Sequence, residues 1–241
     1  MASSQGPSLR ELAVQALSSV EDGYDLLAPK FDHTAFRTPD DVLDATIDAL
    51  RPLGPFGRGL DVCCGTGAGM RVLASVCQGS IIGVDFSTGM LQQARRAHPQ
   101  ADAQWVRADV RALPFGGAFD LVVSFGAFGH FLPAERPALF AEVYRALRPG
   151  GLFAFPLGTP SPMTSRWYWA MLGFDVAMRV RNAVWRPRFV MYYRTWPLDA
   201  VCNDLSASGF AVTSVPLTAL GHRKNGSARY RLVLARRVGE C

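Results

Sequence analysis

Lysine is almost absent from this sequence, and nearly all of its positive charge is arginine. Lys30 and Lys224 are its only lysines, in a chain whose net charge is +5 at pH 7. The charges are spread along the chain, without a dense basic run. The nearest approach to a cluster is formed by arginines interleaved with apolar residues, namely Arg179, Arg181, Arg186 and Arg188. Such spacing does not favour a nucleic-acid partner.

Long apolar runs and metal-binding cysteine patterns are also missing. No segment reaches the ~18 uninterrupted apolar residues of a membrane-spanning helix, and the first residues lack the pattern of a secretory signal. The five cysteines include no CxxC pair and no cysteine–histidine spacing, so no metal site is expected. Adjacent Cys63 and Cys64 are poor disulfide partners. These features favour a reduced, cytoplasmic setting.

The apolar content is ample: 49% of the 241 residues are hydrophobic, enough for one large domain or a domain with an inserted cap. Short apolar runs alternate with helical patterns from residue 59 onward. The strands are expected at residues 59–64, 80–85, 103–109, 119–125, 151–157, 209–217 and 228–237. Helices are expected at residues 68–77 and 87–98, and from residue 133 up to the stop formed by Pro149-Gly150-Gly151.

Repeated strand–helix–strand units with continuously apolar strands predict an α/β fold with a doubly wound, mostly parallel sheet. The short connection before the last strand predicts that this C-terminal strand is antiparallel. We divide the chain into a helical N-terminal segment (1–57), a core (58–157), an aromatic-rich lid inserted after the fifth strand (158–200) and the end of the core (201–241).

The stretch "LDVCCGTGAG", Leu60 to Gly69, places three glycines where a ligand must approach the backbone closely. Asp85 ends the second strand twenty residues after Gly65, where an acidic residue binds ribose hydroxyls. The glycine spacing does not fit the GxGxxG turn of NAD-binding and FAD-binding proteins. A carboxylate at Asp61 instead suits a ligand with a cationic tail, such as S-adenosylmethionine.

Four stretches in the expected order resemble the motifs of the class I S-adenosylmethionine-dependent methyltransferases, in the small-molecule group that includes the ubiquinone and menaquinone methyltransferases. They are "LDVCCGTGAG", "GVDFSTGMLQQAR", "RADVRALPFGGAFDLVVSF" and "EVYRALRPGGLF". The resemblance covers roughly residues 20–157 and implies a Rossmann-like fold and S-adenosylmethionine as cofactor. Cys63 departs from the pattern, because most members have glycine there.

The resemblance also implies a set of cofactor-binding residues. The backbone at Cys64, Gly65 and Gly67 is expected beside the methionine moiety, with Asp61 near its ammonium. Asp85 is expected to bind the ribose and Phe86 to lie against the adenine. The remaining expected residues are Asp109 and Val110 at the adenine, Ser124 and Phe125 beneath the sulfonium, Tyr24 near it, and Arg37 at the cofactor carboxylate.

The acceptor is less clearly indicated. The fourth strand leads into "SFGAFGHF", which lacks the Asn/Asp-Pro-Pro-aromatic turn of enzymes that methylate exocyclic amines. His130 lies just beyond that strand and is the candidate general base, although a structural histidine is an equal alternative. The aromatic lid favours a hydrophobic small-molecule acceptor and is expected to contact it through Trp167, Trp185 and Tyr192.

Other functions stay open from the sequence alone. An RNA or protein methyltransferase would use the basic charge, and a non-catalytic protein could retain the same fold. A nicotinamide-dependent oxidoreductase is disfavoured by the glycine spacing. Aromatic residues are also enriched at dimer interfaces, so the lid residues are compatible with either a monomer or a homodimer.

Overall fold

The computed structural model describes residues 20–34, 37–99, 103–128, 131–159 and 196–239, together with isolated positions between 165 and 184. The helices within these ranges are α1 (Val20–Leu27), α2 (Asp40–Leu50), α3 (Ala68–Val76), α4 (Thr88–Ala97), α5 (Arg136–Ala146) and α6 (Leu198–Ala207). The strands are β1 (Gly59–Val62), β2 (Ile81–Asp85), β3 (Ala103–Arg107), β4 (Phe119–Val123), β5 (Leu147–Gly158), β6 (Phe210–Pro216) and β7 (Tyr230–Arg237).

The strands form one seven-stranded sheet in the order β3-β2-β1-β4-β5-β7-β6. The first five pair in parallel, whereas β7 runs antiparallel to both β5 and β6. The prediction of a mostly parallel sheet with an antiparallel C-terminal strand is confirmed. The strand order reverses between β1 and β4, and ligands bind at the carboxyl edge of such a reversal.

Each face of the sheet has its own apolar core. On one face, α5 and α6 pack on strand residues such as Val62, Val122 and Phe153. On the other face, α2 and α3 pack on Leu121 and Val123. Successive strand residues point to opposite faces, so the continuous apolar runs seen in the sequence supply both cores.

The predicted strand ends differ from the structure at the carboxyl edge. Strands β1, β3 and β4 stop two residues before the ends of the apolar runs, and those last residues belong to the loops. At Cys63 the chain leaves β1 because its φ is +56°, outside the range of a strand. Several of the residues expected to bind a ligand, such as Cys64, Asp109 and Ser124, therefore lie on loops that follow short strands, whereas Asp61 and Asp85 lie on β1 and β2 themselves.

The helix predicted from residue 133 up to its stop at Pro149-Gly150-Gly151 differs from the structure at both ends. A short 3₁₀ turn, Pro133–Glu135, precedes α5, and β5 already starts at Leu147. Leu147 pairs with Phe119 of β4, and the register then shifts before Leu152 pairs with Leu121. Leu147 is buried as its pattern predicted, but on a strand, because pairing with Phe119 outweighs continuation of the helix.

The core resumes before the end of the predicted lid. Trp196 is buried and stacks on Phe128, with ring centroids 4.8 Å apart. The Arg136 guanidinium lies 5.3 Å from the centre of the Trp196 ring and within 2.7 Å of the Asp204 carboxylate. Trp196 therefore helps to join α6 to α5.

Candidate functional site

The glycine turn after β1 is shaped by three residues with positive φ. These are Cys63 at +56°, Gly65 at +53° and Gly67 at +96°. The Cys64 N–H donates to the Val84 carbonyl at 2.9 Å, which anchors the turn to β2. Burial raises the pKa of the Cys63 and Cys64 thiols well above the usual range, so neither is a reactive thiolate.

The glycines of this turn serve different purposes. A Cβ atom built on Gly65 would meet no heavy atom within 4 Å, so the backbone there borders open space. A Cβ on Gly67 would lie 2.9 Å from the His98 ring and 3.0 Å from Trp105. A Cβ on Gly69 would lie 2.4 Å from the Asp61 carboxylate. Gly65 therefore borders open space, whereas Gly67 and Gly69 make room for side chains of the protein.

Asp61 carries a buried carboxylate that lacks a partner. Its side chain is fully buried in β1, and neither oxygen meets hydrogen-bonding geometry with any donor of the described residues. Burial raises its pKa well above the usual range, the charge of Asp85 raises it further, and the nearby Gly69 N–H lowers it. A buried carboxylate without a partner is costly, so this position fits a cationic ligand group.

Asp85 lies beside the open side of the turn and is already hydrogen-bonded. Its carboxylate accepts from the Gly65 N–H and from the Ser87 N–H, both at 2.9 Å. Burial raises its pKa to about 6, although these backbone donors act in the opposite direction. Because a carboxylate can accept about four hydrogen bonds, Asp85 retains capacity for ligand hydroxyls.

Asp109 and Val110 form the turn after β3. The Asp109 carboxylate accepts from the Arg111 N–H at 2.8 Å and from the Arg111 guanidinium at 2.6 Å. Burial alone would raise the pKa of Asp109, but the bonds from Arg111 outweigh it and hold the pKa below the usual value. Asp109 therefore forms an Asx-turn paired with Arg111, and a ligand amino group would share this carboxylate.

The N-terminal segment contacts the same edge of the sheet. The Tyr24 ring meets the Phe86 ring edge-on, with centroids 6.1 Å apart. The Thr66 hydroxyl donates to Asp32 at 2.7 Å, which ties the segment to the glycine turn. Arg37 pairs with Asp40 at 2.7 Å, at the start of α2. The segment thus reaches the turn through Asp32, whereas Arg37 already has a carboxylate partner.

Comparison with known proteins relates part of this chain to one family. Residues 60–151 match a family model described as "Methyltransferase domain".

The chain contains a methyltransferase domain. The expected resemblance to methyltransferases is confirmed over residues 60–151, and the expected Rossmann-like fold is confirmed by the solved structures.

A demethylmenaquinone methyltransferase of Lactiplantibacillus plantarum is 35% identical over 151 residues, which cover 58% of this chain and 62% of the relative. An S-adenosylmethionine-dependent methyltransferase of Mesorhizobium loti matches with a TM-score of 0.56 and 26% identity, over 81% of this chain and 100% of that one. A DhpI–SAH complex shares the fold, with a TM-score of 0.66 and 17% identity over 97% and 100% of the two chains. The chain spans only 40% to 62% of the length of its first curated relatives.

The region expected to hold the methyl acceptor is described in part. The Ser124 hydroxyl donates to the Val62 carbonyl at 2.9 Å, so it ties the end of β4 to β1, and Phe125 next to it is buried. A small pocket opens at the end of β5, lined by Leu157, Gly158, Thr159, Leu198 and Arg231. The candidate base His130 and the lid residues Trp167, Trp185 and Tyr192 lie outside the described residues.

Sequence reasoning missed two carboxylates that hold the N-terminal segment on the methyltransferase domain. Asp25 accepts from the Ser87 hydroxyl at 2.5 Å and from the Gly89 N–H at 2.7 Å, at the start of α4. Asp32 accepts from Thr66. Their partners are 34 to 64 residues away in the chain, so no local pattern could have identified them.

No helix within the described part of the chain is long and apolar enough to cross a membrane.

Proposed function

We propose that this chain is an S-adenosylmethionine-dependent methyltransferase that methylates a hydrophobic small molecule. The observation that carries the proposal is the pair of buried carboxylates beside an open glycine turn. Within the described part of the chain neither Asp61 oxygen has a hydrogen-bond partner, and Asp85 retains acceptor capacity next to Gly65. A ligand with a cationic end and a ribose would supply a counter-charge to the first and hydroxyl donors to the second.

When bound, S-adenosylmethionine supplies a methyl group activated by a sulfonium. The protein's own part is to bind, orient and exclude water. We assign Asp61 and the backbone of Cys64, Gly65 and Gly67 to the methionine end. Asp85 is assigned to the ribose, with Phe86, Asp109 and Val110 at the adenine. Ser124, Phe125 and Tyr24 are assigned to the surroundings of the sulfonium. Arg37 is paired with Asp40 and would have to leave Asp40 in order to bind the carboxylate of the ligand. We therefore assign Arg37 no role there.

The acceptor proposal rests on the inserted residues 158–200 and on the relatives. The relative of Lactiplantibacillus plantarum is named for a quinone precursor, which is hydrophobic and aromatic. Trp167, Trp185 and Tyr192 would suit such an acceptor. We further propose a cytoplasmic enzyme, monomeric or homodimeric, without a nucleic-acid substrate.

The test begins with calorimetric titration of S-adenosylhomocysteine and, separately, of NAD. We expect binding of the first only, and weaker binding by Asp61→Asn, with the exposed Asp48→Asn as the matched control. Incubation with S-adenosylmethionine and a panel of quinols, phenols and RNA should then show methyl transfer to a small molecule, detected by mass spectrometry. Binding of NAD, or methylation of RNA alone, would contradict the proposal.

The role of His130 needs its own measurement. If His130 is a general base for a hydroxyl acceptor, activity falls at acidic pH as its imidazole becomes protonated. The His130→Ala variant should then lose about 10²- to 10⁴-fold in rate and lose this acidic limb. Equal rates and equal pH profiles for the two proteins would show that His130 is structural.

A further inference from the structure

A basic hairpin joins β6 to β7. Residues 221–231 contain no aspartate or glutamate and four lysine or arginine residues, namely Arg223, Lys224, Arg229 and Arg231. Backbone hydrogen bonds close the hairpin, since the Arg223 N–H donates to the Ser227 carbonyl at 2.8 Å and the Arg229 N–H donates to the Gly221 carbonyl at 3.1 Å. We call residues 221–231 the basic hairpin. Its closed backbone holds the four cations close together.

The basic hairpin lies at the carboxyl edge of the sheet, where the cofactor is proposed to bind. Because β7 runs antiparallel to β5, Tyr230 at its start pairs with Gly158 at the end of β5. The Thr159 N–H then donates to the Arg229 carbonyl at 2.9 Å. In the sheet, β5 and β7 are two and three strands away from β1. With about 4.8 Å between neighbouring strands, the hairpin lies on the order of 10–15 Å from the glycine turn.

The cations of the basic hairpin keep donors that the protein does not satisfy. The Arg223 guanidinium donates through Nη2 to the Thr159 carbonyl, whereas its Nε is buried and has no acceptor among the described residues. The Arg231 guanidinium donates to Ser214 through Nε at 3.0 Å and Nη2 at 2.9 Å. In the described part of the chain none of the four cations forms an ion pair, not even with Asp199 at the start of α6. The hairpin therefore carries positive charge that no carboxylate neutralises.

The pocket at the end of β5 adjoins this charge. Its wall combines the apolar side chains of Leu157 and Leu198 with the guanidinium of Arg231. A ligand that fits both would have an apolar body and an anionic group. A guanidinium suits carboxylate and phosphate oxygens in particular, because its donors form a planar fork.

Two larger anionic partners fit the basic hairpin less well. A nucleic acid is bound by cations spread along a strand of phosphates, whereas these four lie within one hairpin. A membrane surface requires exposed apolar side chains beside the cations, and residues 221–231 expose no large apolar side chain. The charge, the small pocket and the position at the carboxyl edge instead fit a single anionic group on a small molecule.

We propose that the methyl acceptor carries an oxyanion, either a carboxylate or a phosphate, which binds the basic hairpin. The proposal rests on the proposed function, because it places the oxyanion on the molecule that receives the methyl group. The apolar body of the acceptor lies between the hairpin and the cofactor. The oxyanion is therefore on the order of 10–15 Å from the atom that is methylated. The acceptor is an amphiphile of this length.

The experiment measures the binding of three probes to the full chain by calorimetry, with and without saturating S-adenosylhomocysteine. Each probe has a phenyl ring on an alkyl chain of the same length, and the chain ends in a carboxylate, a phosphate or a neutral amide. We expect at least one anionic probe to bind about tenfold more tightly than the amide, with a difference that shrinks as the salt concentration rises. The anion that binds more tightly identifies the oxyanion of the acceptor.

Variants of the basic hairpin test where the oxyanion binds. Arg223→Gln/Lys224→Gln should remove the roughly tenfold preference for the anionic probe and leave the affinity for the amide probe unchanged. Lys224→Gln/Arg229→Gln keeps Arg223 in place, so it tests the charge if the first variant perturbs folding. The matched control is Arg51→Gln/Arg96→Gln, which removes two exposed arginines elsewhere and should keep the preference of the wild type.

Three results would overturn the proposal. The first is a wild-type chain that binds none of the probes or binds all three equally. The second is a preference for the anionic probes that both hairpin variants retain, or that the control variant also loses. The third is binding of RNA or of anionic vesicles that the hairpin variants abolish, in a chain without a preference among the probes.

Titration of S-adenosylhomocysteine alone separates this proposal from the proposed function. Its affinity should be the same in the wild type and in the hairpin variants. A chain that prefers the anionic probes but does not bind S-adenosylhomocysteine would have an oxyanion site at the basic hairpin. That result would overturn the proposed function, and with it the assignment of the oxyanion to a methyl acceptor.

Discussion

The buried carboxylate of Asp85 should make both stability and cofactor binding depend on pH. Burial raises its pKa from 3.8 to about 6 in the folded protein. A carboxyl with a higher pKa in the folded state binds its proton more tightly there than in the unfolded state. Its contribution to stability is therefore complete below about pH 4 and is lost as the pH rises through about 6. The difference in pKa corresponds to about 3 kcal/mol, at about 1.4 kcal/mol per pH unit.

The Asp85→Asn variant removes this titration. The free energy of unfolding of the variant, relative to that of the wild type, should rise by up to about 3 kcal/mol between pH 4 and pH 7. Urea denaturation at closely spaced pH values gives this difference. Asp48→Asn serves as the control, because its carboxylate is exposed on α2 and its difference from the wild type should stay flat.

Cofactor binding should show the opposite dependence. Ligand hydroxyls donate to the charged form of Asp85, so affinity of the wild type for S-adenosylhomocysteine should rise as the pH passes about 6. Asp85→Asn should bind more weakly by about 1.5–3 kcal/mol, or about 10- to 150-fold, and lack this rise. Calorimetry from pH 5 to pH 8 measures both effects. Equal affinities, or the same rise in both proteins, would refute the role of Asp85.

Three further changes test the glycine turn and the N-terminal segment by urea denaturation. Cys63→Gly should be more stable than Cys63→Ala by about 1–2 kcal/mol, because glycine adopts the φ of +56° without strain; equal stabilities would exclude strain there. Gly69→Ala should cost about 1–3 kcal/mol, since its Cβ would lie 2.4 Å from Asp61, whereas Gly116→Ala, with no atom within 4 Å, should cost far less. Asp25→Ala should lower the free energy of unfolding by about 1–2 kcal/mol, because the Asp25 carboxylate accepts hydrogen bonds from donors at the start of α4. An unchanged free energy of unfolding would mean that water replaces the carboxylate as the acceptor.

The sheet could be predicted because its information is local. Each β-strand is an apolar run of a few residues, and the alternation of strands and helices specifies a parallel sheet with helices on both faces. The exact carboxyl ends could not be predicted, because Cys63, Ser124 and Phe125 continue the apolar pattern after the strand pairing has ended. The start of β5 at Leu147 depends on Phe119 of a neighbouring strand, which a helical pattern in α5 does not reveal.

The places of the candidate site residues could be predicted where those residues lie within a motif, but not where they depend on contacts between distant parts of the chain, and their roles stay predictions. Asp61 and Asp85 were identified from their places in the motifs, and both lie at the turn. A further reason for Gly67 and Gly69 could not be predicted: they make room for the side chains of His98 and Asp61, and these contacts form only in the folded chain. Asp25 and Asp32 act on donors far away in sequence, so they carry no local signature.

The unfavourable features of this fold are concentrated at the edge where the cofactor is proposed to bind. Asp61 is buried without a hydrogen-bond partner among the described residues, the charge of Asp85 raises its pKa, and Cys63 holds a backbone conformation that favours glycine. Each lowers the stability of the ligand-free protein. A cationic ligand group beside Asp61 would give its buried carboxylate a partner. The free energy that this carboxylate costs the ligand-free protein would then contribute to ligand binding. Folding and cofactor binding are therefore coupled through these carboxylates, and stabilisation by the ligand should grow with its concentration as mass action requires.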